Sequence, residues 1–144
     1  METIKQMKKK SELFKNPYSK KNKYNAEEVQ LGEVHFASKA EACRYTELTL
    51  LEKAGEICDL RVHPRFTLLP AVKLPNGKKL RGVRYTADFE YREGDKLVVE
   101  DVKGVLTRDF GLRINLFCRI YPEIELRIQR SKKSGRSVVF YQEG

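Results

Sequence analysis

Two aspartates and one lysine have types and spacing that could act on phosphate. Asp101 and Lys103 form the only acid-x-lysine triplet of the chain, and Asp88 precedes them on a neighbouring predicted strand. Carboxylate oxygens are the ligands that Mg²⁺ prefers, and such an ion stabilises charge that develops on a phosphate and lowers the pKa of a bound water. A lysine can position or deprotonate that water. The set predicts Mg²⁺-dependent phosphate chemistry, with Mn²⁺ able to substitute.

The acids are predicted to lie on a β-hairpin. Apolar and polar residues alternate from Val83 to Tyr91, a period of two that predicts one strand with one apolar face. Residues 92–95 are expected to form the turn. Residues 97–103 then return as a strand that is apolar on both faces, which indicates a central position in a sheet.

The hairpin register decides which acids meet. Strand side chains alternate, so Asp101 shares a face with Lys103 and Glu100 points the other way. A turn centred on Glu93 and Gly94 would put Asp88 opposite Val99, on a polar strand face and diagonal to Asp101 at roughly 7–8 Å. A three-residue loop with a bulge would instead put Glu100 opposite Asp88.

Two helices and further strands complete the expected fold. Ser38 to Ala54 has helical spacing, Gly55 stands at the C-cap position, and Ser38 with Glu41 spells a capping box. A second helix is expected from Thr107 or Asp109 to about Ile120, with one apolar side formed by Leu112, Leu116, Phe117 and Ile120. Residues 57–75 predict edge or bent strands, 123–129 a strand, 130–136 a basic loop and 138–141 a last short strand. The expected class is α/β (α+β) with a mixed sheet.

Length and charge bound the organisation. The chain has 144 residues, a net charge of +9 and 40% hydrophobic residues, as expected for one soluble domain. Residues 1–23 carry eight lysines against two glutamates, so we expect a basic, disordered tail at 1–23 and a single domain at 24–144. No apolar run reaches the ~20 residues of a membrane span, and no signal peptide is recognisable. Cys43, Cys58 and Cys118 fit neither a disulfide framework nor a zinc site and are expected to be small core residues of a cytoplasmic protein.

The sequence around these residues resembles that of a known superfamily. Asp88 followed by EDVKG at 100–104 is similar to the PD-(D/E)XK nucleases, whose motif is an acid on one strand of a hairpin and acid-x-Lys on the next. Longer segments resemble a phage and prophage family of uncharacterised, Holliday-junction-resolvase-like endonucleases of that superfamily. These segments are KYNAEEVQLGEVHFASKAEACRYTELTLLEKAGEICDL, RYTADFEY and VVEDVKG. The resemblance covers about residues 23–121. Ala87 replaces the proline that names the motif, and Asn115 stands where a lysine is expected.

The resemblance implies a fold and an activity. The fold would be a restriction-endonuclease-like core of helix, three antiparallel strands, helix and strand. The activity would be Mg²⁺-dependent hydrolysis of DNA in the cytoplasm of a bacterial host, on branched recombination intermediates if the likeness to resolvases holds, and a resolvase implies a homodimer. Asp88 and Asp101 would hold the metal and Lys103 would orient the water. Glu41 would be a third acid, while its capping-box position offers a purely structural explanation.

DNA contacts are expected from the basic segments. The lysines of the tail and the cations of the predicted loop would bind backbone phosphates; they are Lys8, Lys9, Lys10, Lys20, Lys21, Lys132, Lys133 and Arg136. The alternative, from a functional class other than enzymes, is a nucleic-acid-binding module that has the same fold and charge but no catalytic activity. Metal-dependent cleavage of DNA would separate the two.

Overall fold

The computed structural model describes residues 27–132 and 135–140, with the backbone alone for residues 131, 132 and 135–140. These residues form a mixed α and β fold, the coarse class expected from the sequence. Its helices are α1 (Lys39–Lys53) and α2 (Arg108–Ile120). Its strands are β1 (Val29–Leu31), β2 (Val34–Phe36), β3 (Cys58–Val62), β4 (Arg65–Leu69), β5 (Val72–Lys73), β6 (Lys79–Leu80), β7 (Val83–Thr86), β8 (Phe89–Glu93), β9 (Lys96–Lys103), β10 (Glu125–Lys132) and β11 (Gly135–Phe140).

The chain divides into two compact units, Met1–Ala42 and Cys43–Gly144. In the described part of the first unit, β1 and β2 pair as an antiparallel hairpin. Gly32 has a φ of 60° in its turn, a conformation that favours glycine. The start of α1 lies in this unit, and the boundary between tail and domain expected at residue 23 lies outside the described residues.

A five-stranded mixed sheet organises the second unit. Its strand order is β11-β10-β9-β8-β3. The neighbours are antiparallel except β9 and β10, which run parallel. Parallel neighbours need a crossover connection, and α2 lies in that crossover. The elements therefore follow one another as α1, three antiparallel strands of this sheet, α2 and a parallel strand.

The strand predicted from Val83 to Tyr91 is wrong as one element. It is broken at Ala87 and Asp88, so that β7 pairs with β4 in a separate two-stranded sheet while β8 joins the main sheet. Backbone bonds from outside the strand hold the break: Ala87 N–H donates to Pro64 O at 3.0 Å, and His63 N–H donates to Asp88 O at 2.9 Å. Alternation of side chains cannot reveal such a break, because the period of two continues through it.

The predicted hairpin register is also wrong, by two residues. Glu90, not Asp88, lies opposite Val99, and the turn consists of Gly94 and Asp95 because Glu93 pairs with Lys96. Gly94 has a φ of 61°, the left-handed conformation of a two-residue hairpin turn. A shift of two residues preserves the face of every side chain. The alternative that placed Glu100 opposite Asp88 does not describe the ladder, where Phe89 pairs with Glu100.

Both helices begin and end close to the predicted residues. Ser38 Oγ accepts from Glu41 N–H at the start of α1, and Gly55, with a φ of 78°, follows its end. Thr107 caps α2 by accepting from Phe110 N–H at 3.2 Å.

The apolar stripe predicted for α2 is partly wrong. Its buried side chains are Phe110, Ile114 and Phe117, whereas Leu112 is 61% exposed and Ile120 is 41% exposed. Phe110, Ile114 and Phe117 follow the i, i+4, i+7 spacing that faces the sheet.

Two further expectations need correction. The basic loop predicted at 130–136 is wrong at both ends, because β10 extends to Lys132 and β11 begins at Gly135. In this hairpin Ser131 pairs with Arg136 and Lys132 pairs with Gly135. Cys43 and Cys58 are exposed rather than core residues, and Cys118 is partly buried. Among the described residues, neither helix is long and apolar enough to cross a membrane.

The core on the α2 side of the sheet is aromatic and aliphatic. It contains Leu68, Tyr85, Ala87, Val99, Phe110, Ile114, Phe117, Ile124, Leu126 and Ile128. Val99 belongs to this side, so Asp101, two residues further along β9, is expected there too. Glu100 lies on the other side, where it bonds to Arg44 of α1.

Candidate active site

Asp101 is a fully buried carboxylate on the central strand β9. Tyr85 donates its hydroxyl to Asp101 Oδ2 at 2.6 Å, and the ammonium of Lys103 lies 3.3 Å from Oδ1. Oδ1 accepts no hydrogen bond from a described residue, so Lys103 is its ionic partner without being a well-aligned donor. The predicted pairing of Asp101 and Lys103 on one face is present. The expected polar strand face is absent at Asp101, because the carboxylate is enclosed by core residues.

Asp88 meets the same triplet from the break between β7 and β8. Its Oδ2 accepts the backbone N–H of Val102 at 2.7 Å, and its own N–H donates to Glu100 O at 3.2 Å. Val102 is the residue between Asp101 and Lys103. The break after β7 thus turns Asp88, which is 8% exposed, onto the acid-x-lysine triplet. The structure brings Asp88, Asp101 and Lys103 together.

The negative charges of Asp101 and Asp88 act on the hydroxyl group of Tyr85. Burial raises the pKa of the Tyr85 hydroxyl far above its ordinary value, and the charge of Asp101, the hydrogen bond to Asp101 and the charge of Asp88 raise it further. A tyrosine in that state is a permanent hydrogen-bond donor at neutral pH. The Tyr85 hydroxyl binds Oδ2 of Asp101, so that Oδ1 faces the ammonium of Lys103.

Lys103 stands at the edge of the buried site. Its side chain is 33% exposed, and its ammonium lies 5.0 Å from the centre of the Phe110 ring. This cation–π contact and the ion pair to Asp101 place the charge between the buried carboxylate and solvent. A lysine so placed can meet a ligand arriving from outside while it remains paired with the acid.

Glu100 is separated from this site and has structural partners. Arg44 Nη2 donates to Glu100 Oε2 at 3.1 Å, Arg44 Nε donates to Oε1, and Tyr91 donates to Oε2 at 2.7 Å. Burial lowers the pKa of Arg44, but the hydrogen bond to Glu100 and its charge outweigh that effect and raise it. Burial, followed by the charge of Glu100, raises the pKa of Tyr91. The adjacent acids Glu100 and Asp101 therefore belong to two different networks.

Glu41 occupies the first turn of α1 within the first unit. Its backbone N–H donates to Ser38 Oγ, and its side-chain Oε2 accepts from Ala37 N–H, both at 3.2 Å. This is a variant of the capping box in which the acid reaches Ala37 rather than the N-cap residue. Glu41 is buried, and its role as a third acid stays a prediction.

The sequence missed two residues of the site. Tyr85 lies on the apolar face of the strand predicted from Val83 to Tyr91, and the regular alternation of that segment gives no sign of the break that turns this side chain toward Asp101. Arg130 was placed in a loop, but it lies on β10 beside Lys103 in the parallel register. Its Nε is buried and has no hydrogen-bond partner among the described residues. No local signal could have paired Arg130 with Lys103, because that register depends on the α2 crossover.

Most of the expected DNA-binding cations lie outside the described residues. Lys132 and Arg136 are on β10 and β11, where the structure gives the backbone alone. The others lie outside the described residues: Lys8, Lys9, Lys10, Lys20, Lys21 and Lys133. Their contact with DNA stays a prediction.

Comparisons with known proteins give a family and a distant structure. A family model described as "Protein of unknown function (DUF1064)" matches residues 21–136. No curated protein matches the chain. A solved structure titled "Crystal structure of SSO0001" matches with a TM-score of 0.46 and 11% identity, over 72% of this chain and 50% of that chain.

Proposed function

The chain belongs to the DUF1064 family, and from the geometry of its buried site we propose that it is a metal-dependent DNA endonuclease that hydrolyses phosphodiester bonds. One observation carries the proposal: Lys103 pairs with the buried Asp101 while Asp88 binds the amide between them. The element order of α1, three antiparallel strands, α2 and a parallel strand supports a restriction-endonuclease-like core. The likeness to resolvases points to branched DNA as the substrate class and to a homodimer.

The donor set fits a hard divalent cation. Asp101 Oδ1 is buried and accepts no hydrogen bond from the described residues, and the ammonium of Lys103 lies 3.3 Å from it. Buried carboxylate oxygens are typical ligands for Mg²⁺ or Mn²⁺. Asp88 and Asp101 would hold the ion, with Glu41 as the proposed third acid. When bound, the ion would stabilise negative charge on the phosphate and acidify a water.

The residues of the chain have separate tasks in the reaction. Water adds its oxygen to phosphorus, one P–O ester bond breaks, the water loses a proton and the leaving oxygen gains one. Lys103 orients the water and donates hydrogen bonds to the phosphate oxygens as negative charge grows. Tyr85 keeps Asp101 in one orientation. Arg130, the register partner of Lys103, would bind a phosphate oxygen.

The test compares two Asp→Asn variants of the β8–β9 hairpin, one on β9 and one in the turn. Asp101→Asn removes the charge that holds the ion, while Asp95→Asn alters an exposed turn residue and serves as the control. We expect cleavage of branched DNA by the wild type and by Asp95→Asn with Mg²⁺ or Mn²⁺, no cleavage with EDTA, and none by Asp101→Asn, which still binds DNA. Equal cleavage by the wild type and Asp101→Asn would overturn the assignment. Binding without cleavage in both metals and on every DNA would favour the non-catalytic binding module.

A further inference from the structure

The segment from Arg65 to Thr86 forms an arm with an unusual charge, which we call the basic arm. It comprises β4, β5, β6 and β7. It contains no acidic residue and six cations, which are Arg65, Lys73, Lys78, Lys79, Arg81 and Arg84. All six are exposed, and none forms an ion pair with another described residue. The charge of the arm is therefore uncompensated.

The arm is two ribbons in succession. β4 pairs with β7 at its base and β5 pairs with β6 at its tip, both antiparallel. The joint is tight, because a Cβ on Gly82 would lie 2.9 Å from Leu69 O. Glycine is thus required where the chain passes from one ribbon to the other.

The base of the arm is anchored beside the candidate site. Phe66 of β4 packs edge-on against Phe117 at 5.0 Å and Tyr121 at 5.4 Å between ring centres. Tyr121 also donates its hydroxyl to Thr67 O at 3.0 Å. On β7, Tyr85 is the residue that bonds Asp101. The base is thereby held by the same core that holds the site.

The outward face of the base ribbon carries hydrogen-bond donors. Arg65 lies opposite Thr86, and Thr67 lies opposite Arg84. Directly opposed residues share a face, so these four exposed side chains form one surface. Guanidinium and hydroxyl groups are typical partners of phosphate oxygens. This face has the composition of a phosphate-binding surface.

The tip ribbon has two unlike faces. Lys73 lies directly opposite Lys79, and Val72 lies opposite Leu80. Like charges directly opposed across a pair of strands destabilise it. Val72 and Leu80 are 46% and 43% exposed, so the apolar face is also in water. A polyanion held along the lysine face would remove the repulsion.

We infer that the basic arm is a DNA-binding element that lies along the phosphates of the substrate next to the cleavage site. The choice of DNA rests on the proposed function. A membrane surface is the other polyanion that such an arm could meet. DNA is favoured because the cations run from the base to the tip, and because the base leads directly into a site suited to phosphodiesters.

The experiment measures DNA binding without cleavage. The full chain and its Lys73→Gln/Lys79→Gln variant are titrated with fluorescent duplex and branched DNA in EDTA, between roughly 50 and 200 mM salt. Each lost phosphate contact lowers the salt slope by about 1, so we expect a slope smaller by about 2 and weaker binding of every DNA. The control, Lys53→Gln/Lys96→Gln, removes two exposed charges of α1 and β9 and should bind as the wild type does. Melting temperature should not fall in the arm variant, since a repulsive pair is removed.

The outcomes separate this inference from the proposed function. An affinity and salt slope equal to those of the wild type, or an equal loss in the control, would overturn the role of the arm even if the protein cuts DNA. Weaker binding to phosphatidylserine vesicles with unchanged DNA binding would also overturn it, in favour of a membrane surface. Loss of DNA binding in the arm variant of a protein that cuts nothing would support the arm and refute the nuclease.

Discussion

Tyr85 donates a 2.6 Å hydrogen bond to Asp101 and so joins two sheets that share no strand. Tyr85 belongs to the ribbon of β4 and β7, whereas Asp101 lies on the central strand of the five-stranded sheet. Both are buried. The bond fixes the orientation of the carboxylate proposed to hold the metal, and it connects that carboxylate to the basic arm.

The Tyr85–Asp101 bond predicts a loss of stability at high pH. The pKa of Tyr85 is raised in the folded protein, so the folded state keeps a proton that the unfolded state loses above about pH 10. Stability from this group is complete below that pH and falls above it by up to about 1.4 kcal/mol per pH unit. Urea unfolding between neutral and alkaline pH should show a steeper decline in the wild type than in Tyr85→Phe. Parallel declines in the two proteins would contradict the raised pKa.

Glu100→Gln should damage stability rather than catalysis. The substitution removes the buried one of the two acidic partners of Arg44, whose side chain is 15% exposed, and leaves only the partly exposed Glu47 at 2.8 Å. Breaking a buried ion pair costs about 3 kcal/mol. We expect a lower urea midpoint, while the folded fraction cleaves DNA at close to the rate of the wild type. A folded Glu100→Gln protein that is inactive would show that the acid on the other face belongs to the site.

Lys103→Met should make metal binding easier to detect. The ammonium of Lys103 and the proposed ion compete for the charge of Asp101, so its removal leaves the carboxylate without a counter-ion. We expect the variant to be less stable without metal and to gain more in melting temperature from Mn²⁺ than the wild type does. Cleavage should be lost. The double variant with Asp101→Asn is the control and should show no extra gain; equal gains in all three proteins would place the metal elsewhere.

Glu41→Gln separates the two explanations of that residue. The amide oxygen can still accept from Ala37 N–H, so the cap and the melting temperature should be nearly unchanged. If Glu41 assists the metal, cleavage falls by at least roughly tenfold. We expect that fall. Cleavage at the rate of the wild type would leave Glu41 as a cap alone.

Local signals predicted both helices. The start of each helix and the end of α1 follow from Ser38, Thr107 and Gly55, because a cap is a contact between residues a few positions apart. The common face of Asp101 and Lys103 follows from the alternation within one strand, which no turn can change. The opposite side for Glu100 follows from the same rule.

What the sequence by itself determined is therefore local: which acid shares a face with Lys103, and where the helices start. Only the tertiary structure decided that Asp88 leaves its strand to bind the amide of Val102, that Tyr85 reaches Asp101, and that Arg130 lies beside Lys103. The break at Asp88 is made by backbone bonds to residues 63 and 64, and the parallel register of β9 and β10 by the α2 crossover. Such contacts depend on packing between segments distant in sequence, whereas periodicity and caps report only on neighbours along the chain.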